Sequence, residues 1–142
     1  MAAPTTADNS RVVTQDNVEL VRRGVANVHD FWAMLDDHVI WDLRARPLPD
    51  LNPVYVGRDA VIKASTHYWG TWDDYQVQAE EILDADPSVV VILQERGRGK
   101  HSGAPFDQRH PQLWTFRAGQ IIRWESFSSR ADALEAAGLS ED

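Results

Sequence analysis

Between Trp72 and Ala131 the chain holds no long segment of helical period, and this one-sided layout constrains the fold more than any other feature. Tyr75, Val77 and Ala79 alternate with Gln76, Gln78 and Glu80, the period of a half-buried strand. A DADPS turn at Asp84 to Ser88 leads into VVVILQERGRGK, Val89 to Lys100, a long strand whose second half is polar. Gly97 and Gly99 within it predict a bend or bulge. Asp107 to Arg117, a turn at Ala118 and Gly119, and Gln120 to Ser128 complete a last hairpin. The helical signals come earlier. Asp16 and Glu19 stand at capping-box spacing, followed by Val18, Val21, Val25 and Val28 at helical intervals. His29 to Asp36 reads as a second short helix after a kink, and His38 to Leu43 as a first strand that ends in a loop bearing Pro47, Pro49 and Pro53. Gly57 to Gly70 reads as a third helix, with Val61, Ser65, Tyr68 and Trp72 along one face. A short terminal helix, Ala131 to Ala137, is capped by Ser129 and stopped at Gly138. Helices first, then long antiparallel strands, is the α+β pattern in which helices cover one face of a sheet. Residues 1–13 lack periodicity and read as a flexible leader to a single domain over 14–142.

Composition removes several function classes. With 142 residues, the chain can bury a core without disulfide or metal staples, and it has no cysteine for a thiolate zinc site. A net charge of -8 opposes general nucleic-acid binding, which needs a basic surface. No apolar run of about 18 residues is present to span a membrane, and the first ten residues lack the regions of a signal peptide. A cytoplasmic location is the resulting expectation. The unusual count is six tryptophans, each of which needs both a pocket and a partner for its indole N–H.

Five segments carry a family resemblance: NVELVRRG at 17–24, YVGRDAV at 55–61, VVILQERGRGKHSG at 90–103, LWTFRAGQIIRWESF at 113–127 and SRADALEAAGL at 129–139. Together they resemble the SnoaL-like polyketide cyclase group of the nuclear transport factor 2-like, or ketosteroid isomerase-like, superfamily. The resemblance implies a cone-shaped α+β barrel whose strongly bent, mainly antiparallel sheet and N-terminal helices enclose a pocket. It also implies a small hydrophobic ligand, no cofactor, and a homodimer formed through the convex sheet face.

Candidate chemistry follows from the same segments. DDHVIWD resembles the stretch in which ketosteroid isomerases place their general-base aspartate, which makes Asp42 the first catalytic candidate. A carboxylate inside a Trp-lined pocket is a stronger base because desolvation disfavours its charge. The structural alternative is that Asp42 caps the loop before Arg44. Strand alternation puts His110, Gln112 and Trp114 on one face and Leu113 and Thr115 on the other. By resemblance, Gln112 stands where the steroid enzymes carry the neutral acid of their oxyanion hole, and His110 offers a donor or base beside it. On the last strand the resemblance favours the parity of Trp124, Ser126 and Ser128 as pocket-facing, with Glu125 on the convex side in a salt bridge to Arg123 or Arg117. Trp69 and Tyr68 from the third helix join Trp114 and Trp124 as ligand-binding walls. Arg96, Arg98 and Lys100 share a strand face and read either as an anion contact at the pocket rim or as a solvated strand end. No tyrosine occurs in the first helix near Gly24, where the steroid enzymes keep a second oxyanion donor. His101, Asp107 and His110 match no zinc spacing, so no metal is expected. The readings left open are a cofactor-independent isomerase or cyclase acting on a polyketide- or steroid-like carbonyl compound, a non-catalytic ligand-binding module, and a limonene-type epoxide hydrolase, which needs two pocket carboxylates bridged by an arginine.

Overall fold

A computed structural model describes residues 17–140 of the chain. The expected leader over residues 1–13 and the Asp16 half of the capping box lie outside the described residues. The first helix, α1, runs over 17–26 and buries Val21 completely. Asn27 breaks it by adopting extended backbone, and its side-chain oxygen accepts from the amides of His29 and Asp30 at 2.8 and 3.2 Å. This N-cap starts α2, Val28–Met34, and accounts for the kink that the sequence predicts.

Strand β1, Leu35–Asp42, follows α2 without a turn. It begins three residues before the expected strand and takes Leu35 and Asp36 from the expected second helix. The reason is tertiary: Leu35 pairs with Ile121 in the sheet, and both are buried. The proline loop also conceals a strand that its composition does not signal. This is β2, Val54–Val56, which pairs antiparallel with β1 at the sheet edge, Trp41 opposite Tyr55. Helix α3, Arg58–Trp69, buries Val61, Ala64, Ser65 and Tyr68, while Trp72 opens β3 instead of extending the helical face.

The remaining strands are β3, Trp72–Ala85; β4, Ser88–Gly99; β5, Pro105–Arg117; and β6, Gln120–Ser126; helix α4, Arg130–Ala136, closes the described fold. The sheet order is β2-β1-β6-β5-β4-β3, antiparallel throughout except for the β1–β6 pair. Gly97 serves the close approach of strands near the β3–β4 bulge. A side-chain carbon there would fall 2.8 Å from the Phe106 ring and 3.1 Å from the Asp73 carbonyl oxygen.

Strand β4 explains why its first half reads as an unbroken apolar run. Val89, Val91 and Leu93 face the main core beneath the N-terminal helices, whereas Val90 and Ile92 face a second cluster with Leu113, Phe127, Ala133 and Leu134. Helix α4 thus covers part of the outer sheet face, and a strand buried on both sides loses its alternation. Each such fully buried aliphatic side chain contributes about 1.5–3 kcal/mol. Among the described residues no helix is long and apolar enough to cross a membrane.

Candidate functional site

The inner concave face of the sheet and the helices over it enclose a cavity of about 380 Å³. Alternation along β5 and β6 sends His110, Gln112, Trp114 and Trp124 inward, and β4 adds Leu93 and Glu95 from the same face. Helices α1, α2 and α3 close the other side with Gly24, Phe31, Trp32, Tyr68 and Trp69. Eight of the eighteen lining residues are aromatic, and five of the six tryptophans are among them. Trp41 stacks on Trp124 with ring centres 4.4 Å apart, and Phe31 meets Trp114 and Trp124 at 4.9 and 4.7 Å.

Gln112 organises this aromatic wall. Its side-chain oxygen accepts from the indole N–H of Trp114 at 2.8 Å and from that of Trp124 at 3.0 Å. Two donors on the oxygen fix which end of the amide is which. The Nε2 donor therefore points away from the indoles and has no protein partner among the described residues.

The polar floor centres on Glu95, which is 2% exposed. Its Oε1 accepts from His110 Nδ1 at 2.8 Å and from Gln108 Nε2 at 3.0 Å, and its Oε2 accepts from the Tyr75 hydroxyl. Burial alone would raise this carboxyl, but the hydrogen bonds from His110, Tyr75 and Gln108, with the charge His110 can carry, outweigh it and hold Glu95 below its ordinary value. Because a carboxylate only accepts, Nδ1 of His110 carries the hydrogen. The opposite ring nitrogen, Nε2, lies 2.9 Å from Ser126 Oγ. Glu95, His110 and Ser126 thus line up like an acid–imidazole–hydroxyl triad. Ser126, however, is 1% exposed and is not part of the cavity wall, so its hydroxyl supports the ring and does not face a ligand. Burial first, then the Glu95 charge, pushes the Tyr68 and Tyr75 hydroxyls upward, so both remain neutral donors.

Asp42 does not reach the cavity. Trp41 takes the inward position on β1, and a strand cannot turn two successive side chains to one face. The Asp42 carboxylate instead receives Arg44 Nε and Nη2 at 3.0 and 2.8 Å, and Arg123 Nη2 at 2.5 Å. The Arg44 hydrogen bonds dominate over burial and hold its carboxyl down to about 2, the opposite of what a general base near neutral pH requires. The base position expected for Asp42 is therefore corrected to an outer-face ion pair. Arg123 also approaches Glu125 at 3.4 Å, so two carboxylates bridged by an arginine do exist here. They lie away from the cavity lining, and the epoxide-hydrolase arrangement is not formed around a ligand site.

The other expected positions divide cleanly. His110, Gln112, Trp114, Trp124, Trp69 and Tyr68 all line the cavity. Ser126 sits behind His110, and Ser128 is exposed, donating to the Ala45 carbonyl at 3.0 Å. Ser128 departs from the pocket parity because β6 ends at Ser126, and alternation has no meaning beyond the strand. Arg96 pairs with Asp107 at 3.1 Å and, like Arg98 and Lys100, is not part of the lining. Among the described residues no cluster of His, Asp or Glu is arranged to hold a metal ion. Sequence reasoning missed Glu95 and Tyr75. The available signal was parity, since Glu95 continues the inward series Val91, Leu93 into the polar half of β4.

This helix-covered, curved sheet with its aromatic cavity is the cone fold of nuclear transport factor 2-like proteins. A family model described as the SnoaL-like domain matches residues 18–124, and the chain belongs to that family. No curated protein matches the chain. Among solved structures it is similar to a nuclear transport factor 2-like protein of unknown function from Burkholderia pseudomallei, with 20% identity, TM-score 0.68, and coverage of 84% of this chain and 95% of that one. It is also similar to a putative SnoaL-like polyketide cyclase from Jannaschia sp., with 19% identity, TM-score 0.67, and coverage of 87% and 91%. A nuclear transport factor 2-like protein from Burkholderia thailandensis gives 19% identity, TM-score 0.67, and coverage of 87% and 97%. At these identities the likeness concerns the fold.

Proposed function

We propose that the protein binds a small, predominantly apolar molecule in the aromatic cavity, with the Gln112 amide as the donor that orients it. The carrying observation is the hydrogen-bond saturation of the floor. Glu95 receives three donors and both His110 ring nitrogens are engaged, while the Gln112 Nε2 is left for a ligand acceptor. Such a site offers apolar area and one polar anchor, the usual composition of a small-molecule pocket. Polycyclic polyketide- or steroid-like carbonyl compounds are the first ligands to test, since the family includes polyketide cyclases. The assay is quenching of cavity tryptophan fluorescence, alongside native mass spectrometry of protein purified without added ligand. Leu93→Trp, which fills the cavity with an indole, is expected to remove binding. Saturable binding that survives this change would place the ligand elsewhere.

A second reading, proton transfer, is favoured by the Glu95–His110 pair, because the carboxylate on Nδ1 fixes the tautomer in which Nε2 is the ring's acceptor. It requires Ser126 to release Nε2. The ring then takes a proton from the carbon next to a bound carbonyl, the electron pair moves onto the carbonyl oxygen, and Gln112 donates to that oxygen before the proton returns. In heavy water this predicts deuterium incorporation into a bound ketone that disappears in His110→Asn. Incorporation no faster than in buffer leaves the protein a binder without turnover. The expected homodimer through the outer sheet face is tested by sedimentation. That face carries the Asp42, Arg123 and Glu125 ion pairs, and Val56 is the large hydrophobic residue most exposed among the described ones.

A further inference from the structure

We propose that the cavity selects an organic cation, a tertiary or quaternary ammonium group on an apolar body, with Glu95 as its counter-charge and the tryptophan wall as its cage. This rests on the reading that the cavity binds a small molecule, and it narrows that reading by charge.

The first argument is formal charge. The lining contains one carboxylate and neither lysine nor arginine. Three hydrogen-bond donors hold the Glu95 carboxylate, and two of them, Tyr75 and Gln108, are neutral groups that orient the charge without cancelling it. A bound cation balances that charge, while the His110 ring keeps Nδ1 on Glu95 and Nε2 on Ser126. Hydrogen bonds hold this buried carboxyl below its ordinary value, so it carries its charge, and no lysine or arginine of the lining faces it. An anionic ligand meets the same carboxylate as repulsion.

The second argument is the wall. Trp, Tyr and Phe rings present negative π-faces, and Trp is the strongest of them towards an ammonium group. Five indoles and three further rings around a cavity of about 380 Å³ supply those faces without any competing fixed cation. Arg46, which is not part of the lining, has its guanidinium engaged by the carbonyl oxygens of Arg109 and Phe127. Burial first, and then the Glu95 charge, push up the hydroxyl of Tyr68, which lines the cavity.

The test compares three ligands of one size: benzyltrimethylammonium, its uncharged carbon isostere neopentylbenzene, and the anion 3-phenylpropionate. Tryptophan quenching gives the dissociation constants. The expected result is cation binding about tenfold or more tighter than the isostere, with no saturable binding of the anion. Glu95→Gln should bring the cation and isostere constants together. Because that change touches the buried floor, Trp69→Leu on the half-buried helix face provides an independent variant, and it should weaken the cation more than the isostere. Equal binding of cation and isostere by the wild-type protein overturns the proposal while leaving the cavity as a binding site. Binding of none of the three, with no displacement of a co-purified molecule, overturns both.

Discussion

Replacing Asp42 by Asn separates a structural ion pair from a catalytic base. In the structure the Asp42 carboxyl is held at about 2, against 3.8 when unperturbed, chiefly by the Arg44 hydrogen bonds and further by Arg123. That difference corresponds to about 2 kcal/mol of folding stability at neutral pH. Arg44 is two-thirds exposed, its side chain at 67%, so solvent screening reduces the figure, and about 1–2 kcal/mol is the expected loss. The sign follows from the depressed value. The contribution is complete well above 3.8 and disappears as pH falls through 3.8 towards 2. Urea unfolding of wild type and Asp42→Asn at pH 7 should show the variant less stable by that amount, with the gap narrowing below about pH 4. Ligand binding in the cavity should be unchanged, since Asp42 is not part of its wall. A variant as stable as wild type at pH 7, or a gap independent of pH, would refute the ion-pair account.

Two further substitutions probe the cavity wall. Gln112→Leu removes the acceptor shared by Trp114 and Trp124 and leaves two buried indole N–H groups unpaired, which should cost at least about 2 kcal/mol in chemical unfolding; Gln112→Glu, which retains the acceptor oxygens, should lose less. Gly24→Ala should destabilise despite the helix propensity gained, about 1 kcal/mol in its favour. Its added carbon would lie 3.0 Å from the Trp114 ring and 3.1 Å from the Met34 methyl, and the Gln112 hydrogen bond prevents Trp114 from yielding. A more stable Gly24→Ala protein in a thermal melt would show that this wall is looser than its geometry implies.

Local periodicity made much of this protein legible. The alternation in QRHPQLWTF fixes His110, Gln112 and Trp114 on one face whatever the strand pairs with, because side-chain direction on a strand depends only on residue parity. The Ser129 cap and the stop at Gly138 are likewise local, and they bracket α4, Arg130–Ala136. The family resemblance gave the cone fold correctly but misplaced one side chain of β1. Trp41 and Asp42 are neighbours, and resemblance alone chose the wrong one for the cavity.

The sequence by itself determined an α+β chain, helices before strands, with an aromatic surplus directed to the concave face. Only the tertiary structure decided which charges meet. Asp42 finds its second arginine, Arg123, on a strand that enters the sheet 81 residues later. Glu95 finds His110 across the β4–β5 register, and Leu35 leaves the helix because Ile121 pairs with it. The physical reason is that backbone parity is a short-range property of bonded geometry. The partner of a buried charge is set by which strands lie side by side, and no window of sequence contains both.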